Sequence, residues 1–223
     1  LDNSAFEMYK QGKPMYPSNK LIRMGKAVGA DYVVMSDYPN EPGSKTIRAA
    51  KQLAPEFREA GFKTFFVPQS EIGDLDDYIQ TFEWALESDL VDMIGVSILG
   101  VPNAYGVEKD NKLQRYLSRY HLMRYLRSRN LLSRYVDGEK KRLHFLGMVD
   151  GPNEIEQVKE FHKYIYSWDS SAGVWAGLNG LSFDRSPTGL INGKFEKEVD
   201  FGLKQASDQN VALAVRNINY INS

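Results

Sequence analysis

Apolar residues along this chain fall into two rhythms. Short runs rich in Val, Ile, Phe and Tyr read as buried strands: DYVVMSD at 31–37, KTFFVPQ at 63–69, VDMIGVSI at 91–98 and RLHFLGM at 142–148. The opening LDNSAFE and SWDSSAG at 167–173 read as further strand ends, which makes six strand-like segments. Between them lie longer helical stretches. SKTIRAAKQLAPEFREAG at 44–61 has Ser44 as an N-cap and Gly61 as a stop, with Pro55 expected to kink or divide it. Further helices are expected over 75–87, 113–135, 153–165 and 202–221, the last with a break near Asp208. VDGPN at 149–153 is a Gly- and Pro-bearing turn.

Strands alternating with helices predict a parallel α/β architecture. No Gly-rich dinucleotide fingerprint follows the first strand. Instead, polar residues recur where strands end: Asp2, Asp37, Gln69, Ser97 and Asp169. That placement belongs to a (β/α)8 TIM-type barrel, whose site is built at the carboxyl ends of its strands. The count falls two strands short, so the first two are expected upstream of Leu1. Residues 1–223 are then a single barrel domain, incomplete at its N-terminus, with no internal repeat or linker.

Composition narrows the chemistry. The absence of cysteine removes disulfides and thiolate metal sites. His121, His144 and His162 lie far apart without metal-ligand spacing, so neither a metal nor a cofactor is expected. No apolar run approaches the roughly 18 residues of a membrane span. A cytoplasmic setting without membrane contact is the expectation. Net charge is −1, but from Lys112 to Arg142 ten Lys/Arg face two acids, Asp137 and Glu139. An anionic partner suits that asymmetry.

The strand ends, taken in order, resemble those of the tRNA-guanine transglycosylase barrel. LDNSAFE is similar to that family's TDSGGFQ, GADYVVMSDYP to its (S/A)DIVMAFDE, and FFVPQ to its IVQGG. VDMIGVSILG resembles DGYAIGGLAVG, RLHFLGMVDGPNEI resembles RYLMGVGTPDDI, and YSWDSSAG resembles DMFDCVLP. Together they cover residues 1–173. The resemblance implies a nucleophile at Asp169, which attacks the nucleoside C1′, and a second catalytic carboxylate at Asp2, which transfers protons. Asp37 would accept hydrogen bonds from the base's N1–H and amino group, and Gln69 would read its carbonyl edge. Phe6 would stack on one face of the base and Leu146 on the other. Ser97–Ile98 replaces a Gly-Gly whose backbone N–H meets the base, and Ile98 narrows that approach.

The chemistry implied is coherent. Displacing a base from a sugar passes through an oxocarbenium-like state, which one carboxylate traps covalently while a second manages the proton. Two inversions give retention. A buried Asp also suits an edge that presents two N–H donors side by side, and rejects bases that lack them.

The chain also departs from the bacterial tRNA enzymes. Their three-cysteine, one-histidine zinc site has no counterpart here, and their arginines shortly after the nucleophile are replaced by SSAGVWAGLNGLSFDR, where Arg185 is the first basic residue. The chain is closer in character to the shortened phage relatives that insert 7-deazaguanine bases into DNA, especially in LDNSA and the LHFLG strand. The expected function is therefore exchange of guanine for a 7-deazaguanine base, with DNA as partner and the base as small-molecule substrate. For a phage-encoded enzyme the setting is the infected bacterial cell. Exchange in tRNA, a non-catalytic nucleic-acid-binding barrel and a small-nucleoside hydrolase are the alternatives. Arg115, Arg119, Arg124, Arg127, Arg129 and Arg134 fall in an acid-free helical segment. They form either a track for phosphates or a solvated outer face, with Leu113, Leu117, Tyr120, Met123 and Leu126 turned to the barrel. A base inside a duplex would have to be flipped out to react.

Overall fold

A parallel five-stranded sheet organises the chain. The computed structural model describes residues 1–137, 140–148, 152–185 and 206–222. Its strands are β1 Tyr32–Val34, β2 Lys63–Phe66, β3 Met93–Ser97, β4 Arg142–Leu146 and β5 Ile165–Trp168, and their order in the sheet follows the chain without reversal. β1 and β2 pair in parallel from Tyr32↔Lys63 to Val34↔Phe65, and β2 meets β3 at Phe65↔Met93. Leu1 extends the ladder on the other edge of β1. Its backbone N donates to the Tyr32 carbonyl at 2.6 Å, and its carbonyl accepts from the Val34 N–H at 3.0 Å. The opening is thus strand-like in its pairing.

β2 and β3 are buried on both faces, through Thr64, Phe65 and Phe66 and through Met93, Ile94 and Val96. This is why they read as unbroken apolar runs rather than alternating ones. At the amino end of these strands Asp92 ties the two together. Its Oδ2 accepts from both the N–H and the hydroxyl of Thr64 at 2.8 Å, and Arg58 lies beside it.

Helices lie where five were expected, with differences at their ends, and four more, Ala5–Lys10, Ser18–Val28, Gly100–Ala104 and Ala172–Leu178, were not anticipated. In chain order the helices are α1 Ala5–Lys10, α2 Ser18–Val28, α3 Gly43–Glu59, α4 Leu75–Glu87, α5 Gly100–Ala104, α6 Lys112–Ser128, α7 Pro152–Val158, α8 Ala172–Leu178 and α9 Asp208–Asn222. Pro42, not Ser44, stands at the cap of α3, because the Gly43 N–H is already taken by Asp77 Oδ2 at 2.7 Å. Pro55 does not divide α3. It sits on the exposed side with Lys51, whose carbonyl loses its helical donor where water can replace it. The helix expected over 113–135 ends at Ser128, since Asn130 adopts left-handed backbone (φ 59°), and a π-helical turn at Leu132–Val136 follows. The one expected over 153–165 is α7 followed by a 3-10 turn, Lys159–Tyr164. Of the expected tail helix, residues 202–205 lie outside the described residues, as do 149–151 of the VDGPN turn, and α9 starts at the expected break, Asp208. No helix among the described residues is long and apolar enough to cross a membrane.

Contacts divide the chain into two compact units. One is Leu1–Phe145 with Lys163–Ser167, and the other is Leu146–His162 with Trp168–Ser223. The first holds nearly all of the sheet. In the second, α8 crosses α9 closely because α8 presents glycines. A Cβ at Gly177 would overlap the backbone of Ala214, and one at Gly173 would lie 3.3 Å from the Ile218 nitrogen. Asn217, buried in the same crossing, donates to the carbonyls of Gly173 and Leu181 and accepts from the Phe183 N–H. Gly177→Ala is expected to lower stability by about 1–3 kcal/mol through overpacking, and Gly173→Ala, whose Cβ would meet backbone at a longer 3.3 Å, costs less. Urea unfolding of the two variants checks this ordering.

Candidate active site

Three amino-acid side chains converge beyond the ends of the first strands. Asp37 follows β1 by three residues and Gln69 follows β2 by three. Asn3 sits on the opening segment that pairs with β1. All three are buried: Asn3 is 2%, Asp37 4% and Gln69 5% exposed. Asn3 Nδ2 donates to Asp37 Oδ1 at 2.8 Å, and Gln69 Nε2 donates to Asp37 Oδ2 at 2.6 Å. Asn3 is itself anchored by Nδ2 to the Met35 carbonyl at 2.7 Å. Burial pushes the Asp37 carboxyl up from 3.8 to about 6, although the Asn3 and Gln69 amides pull it down; the nearby Asp2 charge adds to the rise.

Gln69 is enclosed by glycines. A Cβ at Gly100 would lie 3.3 Å from Gln69 Oε1, and a Cβ at Gly43 would lie 2.8 Å from the Gln69 carbonyl. The rim around it is tied by Asn103 in α5. Its side chain donates to Asn40 Oδ1 at 2.8 Å, and its carbonyl accepts from the N–H groups of Gly73 and Gly106. Ser97 and Ile98 are buried beside this rim. Ser97 Oγ accepts from the N–H groups of Leu99 and Gly100, which starts α5.

The arginine segment divides into two roles. Arg124, Arg127, Arg129 and Arg134 are exposed. Arg119 is not part of a phosphate track: it is fully buried, donates to the Val96 carbonyl at 3.1 Å and lies over the Phe145 ring. Arg115 is half-buried and donates to the Ile98 carbonyl at 3.2 Å. The geometry explains the pairing. Four residues along a helix rise about 6 Å and two along a strand about 6.6 Å, so Arg115 and Arg119 meet alternate carbonyls of the β3 end. The buried face of α6 therefore runs through Ser118, Arg119, Leu122, Met123 and Leu126, and Leu113 is exposed instead of facing the core.

Asp2 is exposed, and its Oδ1 accepts from the Ser4 N–H at 2.6 Å across a turn in which Ser4 is left-handed (φ 57°). Its Oδ1 thus closes a turn, while its Oδ2 accepts no hydrogen bond among the described residues. Asn3 Oδ1 then receives the Ala5 N–H and starts α1, which carries Phe6 half-buried with Lys10 Nζ 4.4 Å from its ring centre. His144 bonds Ser167 Oγ through Nδ1 at 2.7 Å and packs edge-on against Phe65, a role within the sheet.

Asp169 and Leu146 belong to the second unit and come together at the ends of β4 and β5. Asp169 is exposed, and its Oδ1 accepts from the Gly147 N–H at 3.1 Å. Its carbonyl accepts from Met148 N–H at 2.7 Å, and Ser170 Oγ donates to the Met148 carbonyl at 2.6 Å. Gly147 makes this possible with left-handed backbone (φ 71°). Leu146, half-buried, immediately precedes it.

Asn3 is the residue that sequence reasoning missed. Its signal was an amide beside Asp2, on a segment that pairs with the strand leading to Asp37. No group of three or more His, Asp or Glu residues among those described could hold a metal ion. No protein-family model and no curated protein matches the chain.

The raised Asp37 carboxyl makes a pH signature. Its folded value lies above its unfolded one, so its contribution to stability is fully present below the ordinary value and is lost as pH rises through about 6. Asp37→Asn removes this component. The stability of the variant relative to the wild type should rise by about 2 kcal/mol between about pH 4.5 and about pH 7.5, as read from urea unfolding. A constant difference would mean that Asp37 is ionised at no cost.

Proposed function

We propose that this chain is a base-exchange enzyme acting on nucleic acid, a guanine transglycosylase built on a (β/α)8 barrel. The observation that carries the reading is the buried pair Asp37 and Gln69, hydrogen-bonded to each other at consecutive strand ends. A carboxylate accepts from two adjacent N–H groups, and an amide beside it donates to a neighbouring carbonyl. That is the complement of a guanine edge. The sequential order of parallel strands also suits a barrel.

In this mechanism the Asp169 carboxylate attacks C1′ while the bond from C1′ to guanine N9 breaks. The leaving guanine takes up a proton by way of Asp2. The incoming 7-deazaguanine base then gives its N9 proton to Asp2 and attacks C1′, and the ester to Asp169 breaks. No oxidant, metal or cofactor enters the balance. Asp169 is suited to the nucleophile's part by its exposure and by the Gly147 N–H that orients it. On this reading Phe6 offers an apolar face to the base and Ser97–Ile98 a backbone edge.

DNA is the preferred substrate and tRNA the alternative. The test is mass spectrometry of nucleosides after incubation with labelled 7-deazaguanine base and duplex DNA, single-stranded DNA or tRNA. Label is expected in DNA. Label in tRNA alone redirects the substrate, and label in none removes the enzyme reading. Asp169→Asn should abolish both exchange and covalent capture while keeping the unfolding midpoint, since it removes the charge that meets the oxocarbenium. Exchange at the wild-type rate would exclude it as nucleophile.

The exposed arginines are assigned to the nucleic-acid backbone. Replacing Arg124 and Arg127 by Ala should flatten the plot of log affinity against log salt by about one to two units. Replacing Arg119 instead should lower stability, because a buried cation and its packing are lost. Filter binding across a salt series, with thermal unfolding alongside, separates the two classes of arginine.

A further inference from the structure

We propose that Asn3 is the positioning residue of this site: it aims the Asp37 carboxylate at an incoming base and holds the Asp2–Phe6 segment in register with it. The proposal rests on the base-exchange reading above and deepens it.

Each polar atom of Asn3 is spent on position. Nδ2 carries two hydrogens, one bound to Asp37 Oδ1 at 2.8 Å and one to the Met35 carbonyl at 2.7 Å. Oδ1 receives the Ala5 N–H at 2.9 Å. No other residue type of this size offers two donors and an acceptor at these angles. Aspartate would set a second negative charge against Asp37, and alanine would leave three backbone or side-chain groups without partners.

The consequence for Asp37 is directional. A carboxylate has about four lone-pair positions. Asn3 takes one on Oδ1 and Gln69 one on Oδ2, from two neighbouring elements. The Asp37 backbone N–H also bears on the carboxylate, so these bonds fix its plane, and what remains of its acceptor capacity is offered to an incoming pair of adjacent N–H donors. Without Asn3 the carboxylate loses its tether on Oδ1 and keeps the one from Gln69, and it loses a donor that favours its charged form. Among the described residues, the charge that bears on Asp37 is that of Asp2 on the opening segment; Gln69, on the β2 side, is neutral.

The consequence for the opening segment is geometric. Asp2 and Ala5 flank Asn3, and the turn closed by Asp2 Oδ1 and Asn3 Oδ1 sets where α1 begins. Phe6 lies one residue into that helix. One amide therefore couples the base-reading acid to the proton-transfer carboxylate and the stacking ring.

The test has two arms on the full chain. In the first, carbon-13 NMR of labelled aspartate carboxyls follows the Asp37 titration without any base. Asn3→Ala should move it upward by about one pH unit, and an unmoved titration overturns the proposal. In the second, calorimetry measures binding of free 7-deazaguanine from about pH 5.5 to about pH 8.5. Wild-type affinity should fall about tenfold per unit below about 6, and Asn3→Ala should displace that fall upward and recover much of its affinity at high pH. Uniform loss of affinity at every pH would make Asn3 merely structural and overturn the proposal. Absence of any base binding by the wild type would overturn the base-exchange reading, and is told apart because the NMR arm uses no base.

Discussion

A single buried carboxylate sets the terms for everything around it. Asp37 sits where water cannot solvate its charge, and a lone ionised carboxylate in such a place costs several kcal/mol in typical cases. Two neutral amides offset that cost incompletely, which is why its proton is held to about pH 6. The amides must come from either side at hydrogen-bonding distance. A parallel sheet meets that demand well: its strands lie about 4.8 Å apart, so residues just past consecutive strand ends are natural neighbours. The opening segment, β1 and β2 thus each supply one member of the cluster.

The arginine-rich helix carries a related lesson about polar groups at a sheet end. Strand carbonyls that leave the ladder need donors. Arg115 and Arg119 supply them to Ile98 and Val96, and in doing so brace the backbone on both sides of Ser97. Along one helix the inward arginines, Arg115 and Arg119, come first and the exposed ones, Arg124 and Arg127, follow, so a side chain that reads as a surface charge in composition serves as a strut in the fold.

Much of this is legible in the sequence. The strands announce themselves because β2 and β3 are buried on both faces and so carry continuous apolar runs. Asp37 and Gln69 stand out as polar residues at the ends of such runs. Asn3 did not, because its role depends on a partner 34 residues away in the chain. Arg119 misled for the opposite reason. Charge argues for solvent, and only the matching rise of helix and strand explains a guanidinium in the core. Pro55 misled because a proline interrupts a helix only where its missing hydrogen bond has no substitute, and the exposed side of α3 provides one.

Asn103 ties three loops with one residue. Its amide grips Asn40, beyond β1, and its carbonyl grips Gly73, beyond β2, and Gly106, beyond α5. Loops on such scaffolds are usually treated as interchangeable parts, to be lengthened or transplanted one at a time. Here they form a keystoned arch, and an insertion in any one of them shifts the seat of the other two. Reshaping the specificity of this rim calls for redesigning the three loops together, with Asn103 kept as the fixed stone.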